Sequence, residues 1–264
     1  MAEFMNFKRF ITALILFPIL ILLLFKASLS ILLVLILFTA FICYYEWSNL
    51  FHFSFYWLFW GEVLLLMGLF LSAILNIPKF YIFYIFLFFS FLPFLFAYEK
   101  EKFKILFLPF LIGLIYLFIG LFPFWEILQE FKREYLVYFF SIIFANDTGA
   151  YLTGKAFGKH HFFPKISPKK TWEGFFGGIC LAVIIAILLN KFWNLFPNFT
   201  NLFIAGFLAI VGTIGDLFES AFKRMVNKKD SGRIIWGHGG MLDRIDGVLF
   251  SAPLFLIFLN FLKK

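Results

Sequence analysis

The sequence predicts an all-α, polytopic integral membrane protein. Its composition is too apolar for a soluble domain, its apolar runs reach membrane-spanning length, and none of them alternates with the period of a strand. Of the 264 residues, 63% are hydrophobic and 24% aromatic, whereas a soluble domain keeps its apolar share nearer half. The mean hydropathy is +0.95. About 20 apolar residues carry a helix across some 30 Å of hydrocarbon, and backbone facing lipid must satisfy its own hydrogen bonds. A membrane barrel would instead show period-two alternation, which is missing here.

In chain order the apolar runs are 10–25, 27–45, 53–77, 80–98, 105–125, 135–157, 175–189, 199–222 and 247–262, so about nine transmembrane helices are expected. The first follows Lys8 and Arg9 in the manner of a signal sequence. No small-residue cleavage site follows Phe25, however, and the second run begins at once, so a retained helix is expected. Residues 1–4 have the character of a vector-derived leader ahead of a start at Met5.

Positive charge sets the orientation. With the N-terminus inside, sixteen of the 23 Lys and Arg fall on inner segments, among them Lys8, Arg9, Lys100, Lys165, Lys228 and Arg233. Seven fall outside: Lys26, Lys79, Lys132, Arg133, Lys191, Lys263 and Lys264. The polar segments after the sixth and eighth spans therefore face the cytoplasm. That bias, with attraction to anionic lipid, accounts for much of the net charge of +8. Basic residues scattered through short loops argue against nucleic acid as a partner. Cys43 and Cys180 sit in separate apolar runs, so neither a disulfide nor a zinc site is indicated.

No linker interrupts the chain, and a single membrane domain over 1–264 is expected. Residues 1–138 read as mostly lipid-facing scaffold, while 139–264 hold all five aspartates and most glycines and are read as the catalytic half. In the scaffold, Glu62 is assigned a structural role, paired with a neighbouring helix or protonated. Glu46, in YYEWSNL, is expected at a solvated or interfacial helix end, with Tyr45 and Trp47 as interfacial anchors.

Three constellations carry chemistry. Asn146 and Asp147, in the sixth span, are expected inside or at the edge of the membrane, where an ionisable residue marks function. The segment after them carries Lys155, Lys159, Lys165, Lys169 and Lys170. The first two read equally as topology-holding charges or as phosphate ligands. In ISPKKTWEG, Ser167 is expected to cap a helix beginning near Pro168, with Lys169 and Lys170 in its anion-attracting first turn. GDLFES places Asp216, Glu219 and Ser220 on one helical face, a hard-cation pattern, with Glu219 assigned instead to Lys223 at i+4. Finally, GHGGMLDRIDG sets Asp243 and Asp246 one turn apart and offers glycine N–H groups to phosphate. Arg244 points to another face, where an ion pair with a neighbouring helix is its default role. Carboxylates for Mg²⁺ beside cations for polyphosphate suit phosphoryl or nucleotidyl transfer.

The stretch SAFKRMVNKKDSGRIIWGHGGMLDRID, from Ser220 to Asp246, resembles the phosphatidate cytidylyltransferases (CDP-diacylglycerol synthases). That family's pattern runs S-x-hydrophobic-K-R, then K-D, then H-G-G-hydrophobic-x-D-R-hydrophobic-D. NDTGAYLTGKAFGKH, ISPKKTWEG and GDLFES extend the likeness, and YYEWSNL extends it more weakly. Trp236 departs, standing where the family has proline or glycine. The resemblance implies the reaction CTP + phosphatidate → CDP-diacylglycerol + diphosphate. It also implies a requirement for Mg²⁺, room for a monovalent cation such as K⁺, and an enzyme of a prokaryotic inner membrane that is able to form a homodimer. It makes Asp216, Asp246 and Asp243 the metal ligands, catalytic together with Lys223 and Arg224. Lys169, Lys170 and Ser220 would serve substrate phosphates, with further substrate contacts from Asn146, Asp147, Ser167, Lys229, Asp230, His238, Gly239, Gly240 and Arg244.

A CTP-dependent polyprenol or dolichol kinase shares similar C-terminal motifs, but the full KR, KD, HGG, DR-x-D spacing favours the cytidylyltransferase. A CDP-alcohol phosphotransferase needs D-G-x-x-A-R, which is missing. A transporter would show internal repeats.

Overall fold

The structure is a computed structural model that describes residues 17–75, 79–96, 100–232, 234 and 239–263, without the side chains of residues 79, 80 and 100–104. The expectations placed on residues 1–4, Lys8, Arg9, Trp236 and His238 lie outside the described residues. Ten helices make up the described fold: α1 (Phe17–Lys26), α2 (Leu29–Leu50), α3 (Phe55–Ile74), α4 (Lys79–Ser90), α5 (Leu92–Phe96), α6 (Lys100–Glu130), α7 (Arg133–Phe157), α8 (Trp172–Trp193), α9 (Asn198–Met225) and α10 (Leu242–Lys263). One isolated antiparallel bridge joins His161 and Thr171.

Among the described residues six helices, rather than about nine, are long and apolar enough to cross a membrane: α2, α3, Ile105–Glu130 of α6, α8, α9 and α10. The differences have local causes. α1 is short over its described part, and the run 80–98 is broken at Phe91 into α4 and α5, which leaves only the short apolar stretch Tyr81–Phe96. α7 is long enough at 25 residues, but Asn146, Asp147, Thr148 and Lys155 dilute its apolar character.

The described chain gathers into two compact units, the residues up to Trp125 with Lys228–Arg244, and Glu126–Asn227 with Ile245–Lys264. In the first, α2 starts at an N-cap, Ser28, whose hydroxyl accepts the Ile31 N–H. Tyr44 of α2 lies over Gly61 of α3, where any side chain would collide with the ring. Trp57, Phe94 and Phe110 pack edge-on or tilted with centroids 4.4–5.6 Å apart. Trp47 is not an interfacial anchor. It is fully buried against Gly113, and its indole N–H donates to the Pro109 carbonyl at 2.9 Å.

The second unit is built on small residues that let helix backbones close on one another. A Cβ on Gly149 of α7 would stand 2.8 Å from the Gly177 carbonyl of α8, and one on Gly178 2.7 Å from the Asn146 carbonyl. On the other side, a Cβ on Gly215 of α9 would stand 2.9 Å from the Asp246 carbonyl of α10. These close approaches join α7 to α8 and α9 to α10, and the Asn146 amide, donating to Thr213 Oγ1, links α7 to α9. Phe139 stacks on Phe255 at 5.1 Å, and Tyr138 donates to Asn201 Oδ1 at 2.6 Å, fixing the register below them.

Candidate active site

Within the second unit, the loop 158–171 is folded back onto α8 and α9. The Phe162 N–H donates to the Lys170 carbonyl at 2.7 Å, and the Trp172 N–H to the His160 carbonyl at 2.9 Å. Phe162 is buried against Trp172 at 4.4 Å and Phe175 at 5.3 Å, an apolar clip beneath a cationic loop. Arg224, at the end of α9, donates from Nε to the Ile166 carbonyl at 3.2 Å and so pins the loop's tip.

Ser167 is not the helix cap. A turn through Pro168 and Lys169, with the pairing of Phe162 to Lys170, holds these residues out of the helix, so α8 starts only at Trp172 and Thr171 caps it, accepting the Gly174 N–H at 3.2 Å. Ser167 instead closes a turn, its carbonyl accepting the Lys170 N–H at 3.3 Å. The two lysines then diverge. Lys169 is exposed, while Lys170 reaches across to Asp216 Oδ2 at 2.8 Å and to the Thr213 carbonyl at 3.4 Å.

Around that pair stand several other expected site residues. Ser220 donates to Asp216 Oδ1 at 3.2 Å. Asn146 of α7 donates to Thr213 Oγ1 at 3.1 Å, and its own Oδ1 is buried with no hydrogen-bond partner among the described residues. Lys223 forms an ion pair with Glu219 at 3.1 Å, one helical turn apart, with Glu219 0% exposed. Asp246 of α10 is buried and takes the Gly247 N–H on Oδ1 at 2.7 Å. The charges of Asp216, Glu219 and Asp147 all reach it.

The other expected residues belong to the first unit. Asp243 accepts the Ser231 N–H on both oxygens, at 3.1 and 2.9 Å, and the Gly240 N–H at 2.8 Å. The Gly240 amide, read from sequence as a phosphate donor, is thus spent on Asp243. Gly239 alone among the described glycines has positive φ, +84°, a conformation that side chains resist. Lys229, Asp230 and Arg244 are exposed. Lys228 anchors its segment by donating to the Asn49 carbonyl at 2.7 Å.

One residue escaped the sequence reading and a second was misassigned by it. Glu173, in the first turn of α8, accepts the Lys159 and His160 N–H groups at 3.2 and 3.3 Å and meets His160 Nδ1 at 2.6 Å, so it shapes the loop's start. Its place three residues after Lys170 was the available signal. Glu46 is not solvated. It is 1% exposed and holds the backbone of the Asp243 loop.

The second unit's cluster sets four carboxylates, Asp147, Asp216, Glu219 and Asp246, against two lysines, Lys170 and Lys223. Surplus negative charge at membrane helices is costly. Together with the unpaired Asn146 Oδ1, it matches the oxygen donors that a hard divalent cation takes. Among the described residues no three such groups already stand as a closed cage. The fit is one of charge and donor type. Chemically, the cluster can neutralise phosphate through Lys170, Lys223 and Arg224 and hold a cation through Asp216 and Asp246.

Comparison with known proteins follows the same line. Residues 7–262 match the model of the Cytidylyltransferase family. Proteins named phosphatidate cytidylyltransferase from Staphylococcus epidermidis and Staphylococcus aureus are each 42% identical over 163 residues, and one from Staphylococcus haemolyticus is 40% identical. Each match covers 61% of this chain and 62% of the relative, so the chain spans less than two-thirds of the length of the curated relatives it matches.

Proposed function

The chain belongs to the cytidylyltransferase family, and from that premise we propose that it is a phosphatidate cytidylyltransferase: CTP + phosphatidate → CDP-diacylglycerol + diphosphate. A phosphate oxygen of the lipid attacks the α-phosphorus of CTP. One P–O bond forms, the α–β P–O bond breaks, and diphosphate leaves with the electron pair. The nucleophile belongs to the substrate, so the protein's task is to bring two anions together and hold them in line.

The observation that carries this reading is the Lys170–Asp216 pair at 2.8 Å, set among Ser220, Lys223 and Asp246 on the polar stretches of membrane helices. Lys170, paired with Asp216, would exchange that partner for a phosphate oxygen, and Arg224 holds the lysine loop over α9. Asp216 and Asp246 are the residues suited to Mg²⁺, while Asp243 is already engaged by three backbone hydrogen bonds. Bound Mg²⁺ would offset phosphate charge and polarise the reacting phosphorus. Asn146 Oδ1 is a donor left for a second, monovalent cation such as K⁺.

Several finer features belong to the same proposal: nine crossings, with α7 among them, an N-terminus and site on the cytoplasmic side of a prokaryotic inner membrane, and a homodimer. The positive-inside bias supports the orientation. The test is direct. Purified protein supplied with labelled CTP, phosphatidate and Mg²⁺ is expected to release labelled CDP-diacylglycerol. No such product, alongside phosphorylation of an isoprenoid alcohol, would make it a lipid kinase instead.

A further inference from the structure

Glu46 lies on α2, in the half of the chain that composition marks as scaffold, yet among the described residues its carboxylate accepts hydrogen bonds from the segment leading into α10. Oε1 accepts the Met241 N–H at 3.0 Å. Oε2 accepts the Leu242 N–H at 2.9 Å and the Ser231 hydroxyl at 3.1 Å. The first N–H groups of a helix have no partner within it. Here a buried carboxylate from another helix supplies one, in charge-assisted bonds that are stronger than neutral ones.

The surrounding sequence is cut to admit that carboxylate. A Cβ at Gly232 would stand 2.5 Å from Glu46 Oε1, and one at Gly240 would collide with both the Glu46 carboxylate and Ser231 Oγ. The second glycine of the HGG motif is therefore needed for the approach of Glu46. Asp243 grips the same loop from the α10 side, through Ser231 and Gly240.

We propose that Glu46 is a positioning residue for cytidylyl transfer: it fixes the backbone of Gly240–Leu242 and with it the start of α10, the helix that carries Asp243 and Asp246. The inference rests on the proposed function, because it assigns Asp246 to that reaction. A glutamine keeps the size of Glu46 but only one acceptor oxygen, and it turns an NH₂ toward a backbone donor. Misplacement by about 1 Å at a remote support costs on the order of 100-fold in rate.

The experiment compares Glu46→Gln, Glu46→Asp and Ser231→Ala in the purified full chain. Two measurements are made: turnover of CTP with phosphatidate, and hydrogen exchange at the Met241 and Leu242 amides. Glu46→Gln is expected to lose roughly 10- to 100-fold in kcat with little change in KM for CTP. Its Met241 and Leu242 amides should exchange faster, while the α8 and α9 amides keep their wild-type protection. Glu46→Asp, which keeps the charge, should recover part of kcat, and Ser231→Ala, which removes one of three donors, should lose least. Wild-type kcat, or unchanged exchange at Met241 and Leu242 in Glu46→Gln, would overturn the proposal. So would a uniform rise in exchange across all helices with no recovery in Glu46→Asp, which is the pattern of a purely structural residue. Absence of CDP-diacylglycerol with the wild-type protein would refute the functional reading, while the exchange measurement would still decide whether Glu46 holds the loop.

Discussion

Asp246 shows how little a residue's chemistry depends on its neighbours in sequence. Asp243 lies three positions earlier and carries the same side chain, but its oxygens are occupied by the Ser231 and Gly240 amides. Asp246 is buried within reach of three other carboxylate charges. Asp246→Asn preserves shape and the bond from the Gly247 amide while removing charge, so it should fold with a near-normal thermal midpoint. It should also lose at least about 100-fold in CTP turnover, the scale of removing one charge-stabilising group from an active site. Activity within a few-fold of wild type would take Asp246 out of the site. Lys169 and Lys170 make the same point, since nothing in K-K tells which one meets Asp216. Carboxylates and lysines were legible as a set from their spacing, but which lysine is engaged depends on α9, with a contact 43 positions away.

At the scale of elements, two glycines in long apolar helices look alike in sequence and differ completely in place. A Cβ on Gly206 of α9 meets nothing within 4 Å, whereas one on Gly178 of α8 would come within 2.7 Å of the α7 backbone. Gly206→Ala should be tolerated or mildly stabilising, because alanine gains up to about 1 kcal/mol of helix propensity. Gly178→Leu should destabilise by about 1–3 kcal/mol or more through overpacking. Thermal unfolding in detergent reads both, and equal midpoints would show that α7 and α8 do not close on one another at Gly178. Helix boundaries were legible where an apolar run met a polar stop. They were misread in ISPKKTWEG, because a turn through Pro168 and Lys169 and an antiparallel contact with His161 and Phe162 hold the lysines out of the helix and pass the cap from Ser167 to Thr171.

For the whole molecule, the distribution of charge predicts sidedness. Single cysteines at Lys229 and Lys191, in a chain whose Cys43 and Cys180 are replaced by alanine, should be labelled by a membrane-impermeant maleimide from opposite sides. Lys229→Cys should react from the cytoplasmic face and Lys191→Cys from the outer face. Labelling of both from one side would reverse the topology drawn from the positive-inside bias. Composition and run length were enough to establish an all-helical membrane protein, because lipid leaves an apolar backbone few other choices. Motif spacing was enough to indicate the family, because phosphate and cation chemistry demands particular charges in a particular order. Only the folded chain decided that Lys170 rather than Lys169 meets Asp216, that Asp243 holds a loop, and that Glu46 of the scaffold reaches that same loop. The first and third depend on contacts between segments far apart in sequence, the second on a loop that closes back onto the start of α10, and no local pattern records which groups will meet.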